Sequence, residues 1–101
     1  MLDTLNYDKL AAQVNTKFRL TEMTEPIELE LVEATEPQTT PQQEIFSLFF
    51  LGPKNFLLPQ SIYELAHDQL GTGALFLVPI ERTEKGIRYE AAFNRLINTA
   101  D

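Results

Sequence analysis

The chain has no cysteine, which excludes disulfides, thiolate zinc sites, iron–sulfur clusters and cysteine nucleophiles together. It also lacks a long apolar run. The run Leu48 to Leu51, extended by Ile45 and Phe46 around Ser47, falls far short of the roughly 20 residues that span a bilayer, so no membrane crossing is expected. The opening residues Met1 to Asn6 carry neither the basic region nor the apolar run of a secretory signal. The expectation is a cytoplasmic protein.

Basic residues are the next scarcity. Between Thr21 and Pro53 there are seven glutamates and no lysine or arginine, and the chain carries a formal net charge of −7. A surface of this sign repels phosphate backbones and anionic headgroups, so nucleic acid is not expected as a partner. The aromatic run Phe46, Phe49, Phe50 has no basic neighbour before Lys54, which argues against a platform for single strands. Gly71-Thr72-Gly73 is followed by neither a helix signal nor a P-loop lysine, so no anion cradle and no cofactor is expected. The acidic half reads as a solvated face, with a basic partner as the alternative.

What is present suits one core. At 101 residues, 44% hydrophobic and 23% charged, the composition is that of a globular chain, and two domains of half this size would each be marginal. A single domain over 1–101 is expected. Asn6 is a candidate N-cap with Asp8 in the first turn, and Tyr7, Leu10, Ala11 and Val14 fall at helical spacing, which predicts a short helix over 6–14. Six strands follow by alternation: Thr16 to Thr21, Ile27 to Ala34, Glu44 to Gly52, Ser61 to His67, Ala74 to Arg82 and Ile87 to Leu96. In the second, the phase breaks after Leu31, which predicts a bulge or the end of pairing. Thr35 to Gln43, polar and containing two prolines, reads as a mobile loop. Asp68 to Gly73 supplies a tight turn in which Gly71 or Gly73 takes positive φ.

The fold class expected is α+β, mainly antiparallel β: a six-stranded, strongly bent sheet or small barrel with a short N-terminal helix. A meander is the simplest tracing, and a two-sheet sandwich is the runner-up. The strands at Glu44 to Gly52 and Ala74 to Arg82 are apolar on both faces, so each needs cover twice. Either the chain supplies the second cover or another chain does. Phe49, Leu51, Phe56, Leu57 and Leu58 are the candidate interface, for a protein partner or self-association.

The stretches Phe46-Ser47-Leu48-Phe49-Phe50-Leu51-Gly52-Pro53, Leu58-Pro59-Gln60, Tyr63 to Gly71, Leu75-Phe76-Leu77-Val78-Pro79-Ile80 and Tyr89 to Asn94 resemble a family of small, uncharacterised bacterial single-domain proteins. The likeness covers roughly residues 5 to 95. That family is one of unknown function, so the resemblance implies no activity, substrate or catalytic residue. It implies an accessory role in phage-tail-like assemblies.

Few residues invite a chemical reading. His67-Asp68 pairs an imidazole with a carboxylate, but neighbours on a strand point to opposite faces, so Asp68 is poorly placed to orient His67. The expectation is that Asp68 starts the turn and His67 bonds a loop carbonyl. One histidine makes no metal site. Glu64 and Glu90 are the acids embedded among apolar neighbours, and each is expected to pair across strands with Arg88, Arg95 or Lys85. The function expected is a non-enzymatic structural or protein-interaction domain. The competing reading is a small-ligand-binding barrel or an enzyme whose site gathers Tyr63, Glu64, His67 and Asp68.

Overall fold

The computed structural model describes residues 2–96; Met1 and 97–101, part of the expected domain, lie outside the described residues. A 3-10 turn, Leu2–Thr4, precedes helix α1, Tyr7–Ala11. Asn6 is its N-cap, extended at φ −73° and ψ 164°, and its side-chain oxygen accepts the Lys9 N–H. The helix is shorter than the 6–14 read from periodicity. After Ala11 the bonds tighten to three-residue spacing, Gln13 to Leu10 and Val14 to Ala11. Asn15 then takes φ +76° and gives its N–H to Leu31, a left-handed stop.

Seven strands follow: β1 Lys17–Leu20, β2 Glu28–Ala34, β3 Gln38–Thr39, β4 Gln43–Gly52, β5 Ser61–His67, β6 Gly71–Arg82 and β7 Ile87–Leu96. Pairing runs β2-β1-β5-β6-β7-β4, and β4 pairs back onto β2, so six antiparallel strands close into a barrel while β3 adds to β4. The sandwich alternative is thereby replaced by a closed sheet, and the helix docks at one end. Leu31 stands opposite Phe50 and Glu33 opposite Phe49, leaving Val32 as the extra residue of the bulge that the phase break foretold.

The tracing is not a meander. β5, β6 and β7 are consecutive hairpins, but β4 lies beside β7 rather than β5. This is a Greek key, in which the 53–60 connection runs across one end of the barrel. That connection carries Leu58 into the core at 1% exposure, where its N–H donates to the Tyr89 hydroxyl. The opposite end is closed by the N-terminal segment, with Leu2 and Leu10 fully buried. Between these plugs the core is filled by inward residues of every barrel strand, among them Phe18, Leu31, Phe50, Leu65, Leu77 and Tyr89.

Of the two glycines expected to take positive φ in the turn after β5, Gly71 is the one that does. The β5–β6 turn is only three residues, because His67 pairs with Gly71 and Gly71 adopts φ +89°. Gly73 serves a different need: a Cβ there would sit 2.3 Å from the Leu2 nitrogen. The stretch expected as a loop, Thr35 to Gln43, contains β3 and is held through polar groups. Thr35 N–H donates to the Ser47 carbonyl and Ser47 N–H to the Thr35 hydroxyl. Apolar periodicity cannot signal an anchor made of backbone and hydroxyl.

Closure covers the inner faces of β4 and β6 and separates their outer faces. On β4, Phe49 lies under the Arg88 guanidinium, 5.0 Å from ring centroid to Cζ. On β6, Phe76 and Ile80 remain 48% and 44% exposed.

Candidate functional site

Strand β5 distributes the four residues of the competing ligand-site reading. Tyr63 and His67 point inward, Glu64 points outward, and Asp68 lies beyond the strand end in the turn. Tyr63 and His67 are four residues apart, about 13 Å along a strand. The Tyr63 hydroxyl donates to the Pro59 carbonyl at 2.5 Å, and burial raises its pKa above the usual 10.0, with Tyr89 adding to the rise. Glu64 stands opposite Ala74 on the outer wall. The structure therefore does not bring these four side chains together.

His67 is the buried polar residue at the helix end of the barrel, 6% exposed and tilted against Phe18 at 4.5 Å. Its Nδ1 accepts the N–H groups of Gln69 and Leu70 at 3.0 and 3.2 Å, and its Nε2 lies 2.8 Å from the Thr16 hydroxyl. That hydroxyl has one proton and donates it to the Gln13 carbonyl at 2.7 Å. It must therefore accept from Nε2–H, which assigns the neutral Nε2–H tautomer from the network. The expectation of a bonded loop carbonyl is corrected: His67 receives two loop amides, because the short turn aims its N–H groups back at the ring. Burial lowers the imidazole pKa from 6.5, Asp68 opposes that shift and Arg19 reinforces it.

Asp68 turns away to Arg19, 2.8 Å from carboxylate to guanidinium, with side chains 85% and 46% exposed. A pair this wet contributes little stability. Gln13, Thr16, Lys17, Arg19, His67 and Asp68 rim an open hollow of about 370 Å³, where His67 has both nitrogens occupied. Among the described residues, no three His, Asp or Glu side chains gather as metal ligands would.

The expected pairing of Glu64 and Glu90 also takes another form. Glu90 accepts the Ser47 hydroxyl at 2.6 Å. Arg88 serves Glu33 and Glu81 at 3.5 and 3.9 Å, and Arg95 approaches Glu44 at 3.8 Å. Among the described residues Glu64 is in no ion pair.

Of the five expected interface residues, Phe56 and Leu57 are exposed, Phe49 and Leu51 are half-buried, and Leu58 belongs to the core. A second set of exposed apolar side chains lies on the outer wall of β5 and β6. Ile62 and Phe76 oppose each other across the β5–β6 ladder, 66% and 48% exposed. Val78 and Ile80 continue outward along β6, where Ile80 occupies the irregularity between Pro79 and Glu81. The signal was available: a three-residue turn pairing His67 with Gly71 puts Ile62 opposite Phe76 by counting back along both strands. Carboxylates border this wall, Glu64 opposite Ala74, Glu90 opposite Val78 and Glu81 opposite Arg88.

No curated protein and no solved structure matches the chain. Residues 5–93 match the model of a family described as Domain of unknown function (DUF6916). With the match spanning most of its length, the chain belongs to that family of unknown function.

Proposed function

We propose that the domain is a non-enzymatic protein-interaction module whose working surface is the outer wall formed by β5 and β6. The observation that carries this reading is the facing pair Ile62 and Phe76, both large, apolar and in water. Contiguous apolar surface of this kind on a small domain marks a place where another surface sits. Leu58 and the N-terminal segment close the ends of the interior, and buried side chains of the described residues fill it. His67, the one imidazole, spends both nitrogens on the turn and on Thr16. Phe56 and Leu57 are also exposed, on the connection that enters β5, where Phe56 borders a hollow with Glu22 and Ile27. The accessory role in a phage-tail-like assembly is a special case, with another component of the particle as the partner.

Quantitative affinity capture tests the proposal. The full chain is compared with an Ile62→Thr, Phe76→Thr variant, which keeps β-compatible side chains at both positions, and with His67→Gln. Proteins enriched by the natural chain are expected to be lost by the wall variant and kept by His67→Gln. Unchanged recovery by a folded wall variant refutes the proposal.

A further inference from the structure

We infer that the partner taken by this wall is a basic amphipathic polypeptide segment, with an apolar stripe flanked by lysine or arginine; the inference rests on the interaction reading above and adds the partner's chemistry. The wall is apolar along its middle, through Ile62, Phe76, Val78 and Ile80, and anionic at its margins, through Glu64 and Glu90. The arginines on the neighbouring strands are already engaged: Arg88 is held between Glu33 and Glu81 and lies over Phe49, and Arg19, opposite Ala66 of β5, is paired with Asp68. Arg82, at the end of β6, donates to the Lys54 carbonyl. An occupant must therefore bring its own positive charge to the margins and apolar side chains to the middle.

Charge opposes the commonest alternative. A second copy seated face to face through a two-fold axis presents the same patch to itself. That apposition brings the Glu64 and Glu90 carboxylates of both copies to one apolar seam, where like charges oppose association. The chain's formal charge of −7 acts in the same direction at longer range. The length also fits. From Phe76 to Ile80 the stripe runs about 13 Å along the strand, the span of roughly nine residues of helix. Apolar residues at i, i+3 or i+4, and i+7 of a helix lie along such a line, and lysines on either side of them reach outward to the carboxylates.

The test uses the full-length, isotope-labelled chain and three synthetic helical peptides: leucine stripe with lysines, leucine stripe with glutamates, and lysines with serines replacing the leucines. The leucine–lysine peptide is expected to bind, with amide shifts centred on Ile62, Phe76, Val78 and Ile80. Both other peptides are expected to bind at least about tenfold more weakly. Phe76→Thr removes the binding, and Glu64→Gln with Glu90→Gln weakens it and flattens its salt dependence. Equal binding of the glutamate peptide overturns the inference, as do shifts centred elsewhere on the barrel. Self-association by light scattering that Phe76→Thr abolishes also overturns the inference, and leaves the interaction reading standing. A monomeric chain whose wall answers to none of the peptides overturns the inference; unchanged affinity capture by the wall variant is what would overturn the reading beneath it.

Discussion

The plug at the loop end of the barrel can be tested by deleting one oxygen. Tyr89 is fully buried, and its hydroxyl accepts the N–H of Leu58, itself 1% exposed, at 2.9 Å. Tyr89→Phe keeps the ring and its packing and removes the acceptor. The Leu58 amide, still out of water, then has no partner, and an orphaned buried donor costs about 1–3 kcal/mol. For a domain of this size each kcal/mol moves the melting temperature by about 4–8 °C, so a loss of roughly 4–24 °C is expected. Leu58→Ala, which also empties core volume, should cost more, about 2–5 kcal/mol. Equilibrium urea unfolding of both variants and of the pair measures this. The double variant should fall short of the sum of the singles, because Leu58→Ala loosens the connection and lets the amide of residue 58 reach water, so that losing the hydroxyl then costs less. If Tyr89→Phe changes stability by less than about 0.5 kcal/mol, within the range of neutral surface substitutions, the 53–60 connection is not held as described.

Three further outcomes follow from the same geometry. Burial holds the His67 imidazole below its ordinary 6.5, so the unfolded chain takes up a proton first as pH falls, and stability declines on acidification through 6.5 until the folded ring protonates too; in His67→Gln that portion of the pH–stability curve should disappear, and an unchanged curve contradicts the assignment. Burial also holds Tyr89 above 10.0, against the opposing pull of its Leu58 bond and of Arg82, so unfolded phenols ionise first and stability falls as pH rises past 10. Urea titrations at alkaline pH should show a shallower fall in Tyr89→Phe. At Gly73 an added methyl meets Leu2 at 2.3 Å, whereas at Gly71 it meets nothing within 4 Å. Gly73→Ala should cost about 1–3 kcal/mol and speed amide exchange over Leu5 to Leu10, while Gly71→Ala, strained only through its φ of +89°, should leave that exchange unchanged; equal exchange in both variants would separate Gly73 from the N-terminal plug.

Local pattern revealed most of the strands because period-two alternation is a direct consequence of a half-buried sheet. Phe46, Leu48 and Phe50 against Ile45, Phe49 and Leu51 are legible without coordinates, and so is the bulge at Val32. Pairing partners are not. Nothing local to β4 says that it lies beside β7 and β2 rather than β5, since that choice is made by long-range closure. The fate of Leu58 depends on the same choice: a connection between adjacent strands would leave it on a rim, whereas one crossing the barrel end buries it. The candidate wall was half legible. The two apolar faces of β6 were visible, but which face stays wet follows from the direction in which the sheet curls. That Arg88 covers Phe49 on β4 while Phe76 on β6 stays 48% exposed is a matter of register between distant strands.

The most direct measurement is residue-resolved chemical-shift mapping of the labelled full chain as it binds the polypeptide it retains in affinity capture. The largest shifts are expected at Ile62, Phe76, Val78 and Ile80, with smaller ones at Glu64 and Glu90. Shifts centred on Thr16, His67 and Gln69 instead would contradict it and return the working site to the hollow beside the histidine.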